Sequence, residues 1–165
     1  MRLLVADDAA LIRAGLVGLL ERAGHTVVAE AGDAPELLAQ CRRLAAGDGL
    51  PDLVITDVRM PPSMTDDGLR AAVQLRASYP GLPVLMVRQY IAPAYAATLL
   101  DGPSSGGVGY LLKERVGDVP AFMDAIRRVA EGGTALDREV VAELVQARDQ
   151  EGGGLVRALS PPFTY

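Results

Sequence analysis

The sequence is poor in the residues from which many catalytic and metal sites are assembled. It holds one cysteine, Cys41, and one histidine, His25. A lone cysteine excludes an internal disulfide. With only one histidine beside it, the set also lacks the ligands for a thiolate–imidazole zinc site and for a nucleophile–His–acid relay. His25 lies in an "AGHT" turn before a strand, where it reads as a loop residue. Cys41 sits among Leu37, Leu38 and Leu44 and reads as a buried helix thiol, because a free cysteine packs like a small hydrophobe. Tryptophan is absent and aromatics make up 4% of the chain, so the core must be built from Leu, Val, Ile and Ala. Excess positive charge is absent too. Sixteen Lys and Arg face 21 Asp and Glu, for a formal charge of −5. Non-specific nucleic-acid binding needs a cationic field, so the chain as it stands is a poor DNA binder. No apolar run approaches the ~20 residues of a membrane span. The opening "MRLLVADD" meets acid too early for a signal peptide. A cytoplasmic protein with no membrane contact is the expectation.

What remains is 165 residues, half of them hydrophobic, enough for one compact α/β domain with a short appendage. Apolar runs alternate with helical patterns. "RLLVA" (2–6), "TVVAEA" (26–31), "DLVIT" (52–56), "PVLMV" (83–87) and "VGYLL" (108–112) read as strands. Leu11, Ile12, Gly15, Leu16, Leu19 and Leu20 mark one face of a first helix. A second carries Leu37, Leu38, Cys41 and Leu44, with Asp33 as cap and Pro35 in its first turn. Further helices are expected over about 67–78 and 93–101. A last one carries Val119, Phe122, Met123, Ile126 and Val129 and ends at Gly132-Gly133. Strands alternating with helices imply a parallel sheet covered on both faces. The expectation is a flavodoxin-like (βα)5 three-layer sandwich with strand order 2-1-3-4-5 and its site at the carboxyl ends of strands 1 and 3. Residues 1–132 form this domain. Residues 133–149, including "LDREVVAELVQARD", are expected to form a linker helix, and 150–165 a loose Gly- and Pro-containing tail.

The carboxyl ends of the strands carry the chemistry. Strand 1 delivers Asp7 and Asp8, strand 3 delivers Asp57, and strand 5 delivers Lys113. A lone Asp after a strand is commonly a turn or helix cap, and Asp8 alone could cap the first helix. A lone Lys113 would be a solvated surface residue. Together they are harder to explain so blandly. Three converging carboxylates repel unless a cation intervenes, and hard oxygen ligands with room for water suit Mg²⁺. A carboxylate beside Mg²⁺ with an ammonium opposite is equipment for phosphoryl transfer. The Gly-rich "DGPSSGGVGY" (101–110) precedes a strand instead of linking strand to helix, so it lacks the geometry of a phosphate loop.

At these residues the sequence resembles a known family. "LLVADDAALIRAGL", "DLVITDVRMPP…DDGL" and "GYLLKE" are similar to the receiver domain of bacterial two-component response regulators, in the layout of the NarL/FixJ (LuxR-type) group. The resemblance covers residues 1 to about 132. It implies a phospho-acceptor at Asp57 and Mg²⁺ held by Asp8, Asp57 and the backbone carbonyl of Arg59, with Asp7 acting through water. It implies that Lys113 binds the phosphoryl group, that Pro61 shapes the loop after the acceptor, and that Tyr110 is a switch aromatic. The implied partners are a histidine kinase and a second copy of the receiver. Transcription is the implied output, through a helix-turn-helix domain whose opening "ALSP" (158–161) resembles. Too few residues follow to build it, so DNA binding is not expected of this chain itself. A phospho-acceptor with at most slow autodephosphorylation is not an enzyme. An aspartyl-phosphate phosphatase would need an acid two residues after the nucleophile, where this chain has Arg59.

One position departs from the family pattern. A switch Ser or Thr is implied after "VLMV", and the residue there is Arg88. Arginine is far larger and cannot accept a hydrogen bond. Three readings stand: Arg88 pairs with Asp57 and blunts metal binding, it binds the phosphoryl group bidentately, or it points to solvent. In each, the usual coupling to Tyr110 is in doubt, and an atypical, phosphorylation-independent binding or dimerisation module becomes the alternative function.

Overall fold

The computed structural model describes residues 1–88, 106–137 and 141. Their frame is a six-stranded sheet, parallel throughout: β1 (Arg2–Ala6), β2 (Thr26–Ala31), β3 (Leu53–Asp57), β4 (Val84–Arg88), β5 (Val108–Leu112) and β6 (Thr134–Leu136). The strand order is β2-β1-β3-β4-β5-β6. The expected 2-1-3-4-5 arrangement is therefore present, extended by one strand. The helices are α1 (Ala10–Arg22), α2 (Ala34–Ala46), α3 (Asp67–Ser78) and α4 (Val119–Ala130), with a 3-10 helix over Lys113–Gly117 before α4. The helix expected over 93–101 lies outside the described residues.

Every residue of β3 and of β4 is buried, as a central strand covered on both faces requires. Strand alternation divides the core into two layers. Leu4, Val54, Met86 and Tyr110 face the layer that holds Leu37 and Cys41 of α2 and Leu69, Ala72 and Leu75 of α3. Leu3, Val5, Ile55, Leu85, Val87 and Leu111 face the layer of Leu16 and Leu20 of α1 and Phe122, Ile126 and Val129 of α4. The α4 layer packs so closely that a Cβ at Gly109 would lie 2.5 Å from Leu85 Cδ1 and 2.8 Å from Val129 Cγ2.

Local signals start the helices where the sequence places them. Asp33 Oδ1 accepts from the Glu36 backbone N–H at 2.7 Å, and Glu36 Oε1 in turn accepts from the Gly32 N–H at 2.6 Å. This is a reciprocal cap of the kind a D-x-x-E sequence allows, and losing it costs about 1 kcal/mol. Asp118 Oδ1 does the same for Ala121 N–H ahead of α4.

The segment after Gly133 differs from expectation. A helix was expected across 133–149, yet Thr134–Leu136 is a strand paired to β5. The physical reason is the open edge of β5. Its unpaired N–H and C=O groups take partners from the chain that leaves α4 through Gly132 at φ 93°. Of the rest of that expected helix only Val141 is described beyond Asp137. It is helical, its N–H donating to Asp137 O at 3.0 Å.

Cys41 is fully buried in the α2 layer, and burial raises its pKa to about 11. Only the thiolate alkylates, so iodoacetamide at pH 7 should label the native protein at least ~100-fold more slowly than the urea-unfolded chain. Labelling followed by mass spectrometry across a urea series should track the fraction unfolded.

Candidate functional site

Asp7 and Asp8 leave β1 at its carboxyl end, and Asp57 is the last residue of β3, the strand beside it. Asp7 is held on several sides. Its N–H donates to Ala31 O at 3.0 Å, its Oδ1 accepts from Ala9 N–H at 2.9 Å, and its carbonyl accepts from Arg13 Nη1 at 2.6 Å. The residue that satisfies the chain ahead of α1 is thus Asp7, whereas Asp8 is exposed and caps nothing. The carboxylates of Asp7, Asp8 and Asp57 offer oxygens that all lie within 4.8 Å of one another.

Asp57 is 8% exposed. Its Oδ2 accepts from Lys113 Nζ at 2.9 Å, and its Oδ1 accepts from the Arg59 N–H at 3.4 Å. Lys113 Nζ also lies 3.4 Å from Asp7 Oδ2. The backbone is pinned as tightly as the side chain. Gly68, in the first turn of α3, donates to Val58 O at 2.8 Å, and a Cβ there would lie 1.9 Å from Asp57 O. The close approach of α3 to the end of β3 therefore requires glycine at 68. The loop between them carries a cis Pro61–Pro62 bond, and Pro61 O accepts from Ala34 N–H, tying the loop to the start of α2.

Burial pushes the Asp57 carboxyl above the usual carboxylate range. The Lys113 bond pulls it down and the Asp7 charge pushes it up again, with a net rise. Burial alone would lower the Lys113 ammonium, but its contacts with Asp57 and Asp7 outweigh that and raise it. One ammonium thus pairs with two carboxylates of a cluster of three. A divalent cation fits this donor set: hard oxygens, closely spaced, short of positive charge, with Asp8 open to water.

Two sequence-selected residues lie apart from this cluster. Tyr110 is 1% exposed and packs in the α2/α3 layer, deeper than a half-buried strand tyrosine. Arg88, the last residue of β4, is 7% exposed, so it does not simply point to solvent. Nor does it pair with Asp57. Among the described residues Arg88 makes no ion pair or hydrogen bond through its side chain. Beside the acidic cluster lies an apolar cavity of about 310 Å³, lined by Ile12, Gly15, Leu16 and Leu19 of α1 with Val87, Lys113 and Val116. Asp137 is a residue the sequence reading passed over. It is 6% exposed and bound to the end of β5, and nothing in its local sequence marks it.

Residues 3–127 match the family model of the response regulator receiver domain. The chain belongs to the response regulator receiver family. Among curated relatives it is 30% identical over 152 residues to the transcriptional regulatory protein LnrK of Bacillus subtilis, covering 92% of this chain and 63% of LnrK. It is 29% identical over 165 residues to the oxygen regulatory protein NreC of Staphylococcus epidermidis, covering 99% of this chain and 70% of that protein. This receiver therefore spans roughly two thirds of the length of such relatives. Among solved structures, a LuxR-family two-component response regulator from Aurantimonas sp. SI85-9A1 superposes with a TM-score of 0.69 at 25% identity, covering 90% of this chain and 97% of the other. The receiver domain of the putative response regulator NarL from Mycobacterium tuberculosis gives 0.59 at 31% identity, covering 79% and 96%. No helix among the described residues is long and apolar enough to cross a membrane.

The raised pKa of Asp57 has a testable sign. A carboxyl raised on folding contributes stability in full below its unfolded pKa of ~3.9 and loses it as pH rises through the folded value. At pH 7 the ionised Asp57 is therefore a net cost to the metal-free receiver. In EDTA at pH 7, Asp57→Asn should be at least as stable as wild type. Mg²⁺ at about 100 times its Kd should stabilise wild type by about 2.7 kcal/mol and the variant far less. Urea unfolding of both proteins, with chelator and with Mg²⁺, checks this.

Proposed function

We propose that this chain is the phosphoryl-accepting receiver of a two-component phosphorelay, with Asp57 as acceptor, a histidine kinase as donor and transcription as the controlled output. The observation that supports it best is Asp57 itself, buried at a strand end 2.9 Å from Lys113 Nζ and within 4.8 Å of two more carboxylates. In the proposed step an Asp57 carboxylate oxygen forms a bond to phosphorus as the phosphorus–nitrogen bond to the donor imidazole breaks, and the electron pair stays on the imidazole nitrogen. Lys113 passes from the carboxylate to an oxygen of the incoming group and neutralises its charge. Asp8, Asp57 and the Arg59 carbonyl would hold Mg²⁺, with Asp7 acting through water. When bound, the ion supplies neutralising charge to the phosphoryl oxygens. The chain itself would hydrolyse the acyl phosphate only slowly. The transcriptional role named for LnrK supports the output. A cytoplasmic site of action, pairing of receivers as dimers and DNA contact only through a further domain belong to the same reading.

Wild type incubated with Mg²⁺ and acetyl phosphate should gain one phosphoryl group by intact mass, and none in EDTA or in Asp57→Asn. Lys113→Ala should slow its accumulation by about 100-fold, the usual cost of removing one charge-stabilising donor. Absence of any adduct on wild type would sink the reading.

A second reading rests on Arg88, a buried cation where a hydroxyl was expected. In it the receiver is held in one state and acts as a phosphorylation-independent binding or dimerisation module. Arg88→Thr should then raise either the rate of adduct formation or the phosphate-dependent shift in dimerisation, read by sedimentation. Equal responses in the two proteins would remove this reading.

A further inference from the structure

Among the described residues of the chain that follows α4, β6 pairs with β5 and Asp137 reaches on to the residues that flank Lys113. Asp137 comes directly after β6 and is 6% exposed, so both its carboxylate oxygens need partners inside the protein. Oδ2 accepts from the Leu112 backbone N–H at 2.7 Å. Oδ1 lies 2.8 Å from Arg115 Nε. The Asp137 N–H donates to Tyr110 O at 3.3 Å, and its carbonyl accepts from Val141 N–H at 3.0 Å. The contacts to Leu112 and Arg115 bracket Lys113. One precedes the lysine by a residue and the other follows it by two. The lysine itself opens the 3-10 helix of Lys113–Gly117, the helical form with the poorer hydrogen-bond geometry and the smaller resistance to rearrangement.

We propose that Asp137 is a positioning residue, a latch through which the state of Asp57 is coupled to the chain beyond the sheet. The inference rests on the receiver reading above. A phosphoryl group on Asp57 places its oxygens beyond the carboxylate that now holds Lys113 at 2.9 Å. The ammonium must move outward to meet them. Asp137 holds the backbone N–H of Leu112 on one side of the lysine and faces the Arg115 side chain on the other, so the displacement falls on the latch. From there it reaches β6 and, through the Asp137 carbonyl, the hydrogen bond from Val141 N–H. The coupling is reciprocal, as any linkage between two sites must be. A change imposed on the chain after Asp137 alters how Lys113 is presented to Asp57.

The test uses the whole chain with Mg²⁺ and beryllium fluoride as the phosphoryl mimic, alongside the acetyl phosphate adduct measurement. In wild type, the mimic should change amide hydrogen exchange over 134–141 by at least threefold. Asp137→Asn keeps a side-chain oxygen for Leu112 but loses the charge that holds Arg115. It should still accept a phosphoryl group on Asp57, and the exchange response over 134–141 should disappear. Arg115→Gln, at a side chain 42% exposed, should behave alike and serves if the Asp137 variant fails to fold. An adduct on wild type with unchanged exchange over 134–141 overturns the latch alone. So does a full response in either variant. No adduct and no response to the mimic in wild type overturns the receiver reading and the latch with it.

Discussion

The contact between Lys113 and Asp57 spans three strands, and most of the structure serves to make it possible. Lys113 directly follows β5 and Asp57 ends β3, with β4 between the two strands. Strands lie about 4.8 Å apart, so the ammonium must cross nearly 10 Å of sheet, most of it over β4. The β4 residue in register with both Asp57 and Leu111 is Val87. Its short side chain leaves the lysine stem a path, and the apolar cavity beside it is lined by Val87 and Lys113 together. A long side chain at 87 would occupy that path. The sheet order thus decides which charges meet, and one small residue decides that they can touch.

Bringing these charges together costs solvation. Asp57 loses water on burial, gains one ammonium and stands beside Asp7, and the balance leaves its ionised form disfavoured. A well-satisfied core would avoid such an arrangement. Here it is maintained by rigid neighbours: the hydrogen bonds that fix Asp7, and the glycine at 68 that lets α3 rest against the Asp57 carbonyl. The shortage of positive charge is what fits this donor set to a divalent cation.

Much of this was legible in the sequence, because it depends on local pattern. β2 and β5 fall at the residues their apolar runs mark, β3 and β4 are displaced by one residue, and α3 begins at Asp67 where expected. The convergence of Asp7, Asp8 and Asp57 followed from strand order, which sets β1 beside β3, and Lys113 joins them because its side chain leaves the sheet in the same phase. What escaped depends on non-local pairing. "TAL" (134–136) is too short to show a period, and it becomes β6 because an open sheet edge lies next to it. Asp137 is one acid among several in a segment with a helical pattern. Its buried contacts run to Leu112 at the end of β5 and to Arg115 in the 3-10 helix, more than 20 residues earlier in the chain. Which of Asp7 and Asp8 bonds the chain ahead of α1 depends on the backbone path after β1, which residue type does not determine.

Arg88 shows how a strand end can be read correctly in position and still be open in direction. Side chains alternate along a strand. Val5, Ile55 and Leu111 face the α1/α4 layer, and counting two residues onward from each gives Asp7, Asp57 and Lys113. The three charged groups therefore emerge in phase. On β4 the residue in that phase is Val87, whereas Arg88 follows Met86, which faces the α2/α3 layer with Tyr110. The guanidinium thus starts out on the opposite side of the sheet from the carboxylates. This accounts for two facts together: Arg88 is buried, and Asp57 takes its cation from β5 instead of from the strand next to it. A residue at 88 can act on Asp57 only by reaching around the end of its own strand. A small hydroxyl and a long guanidinium would have to make that reach by different paths.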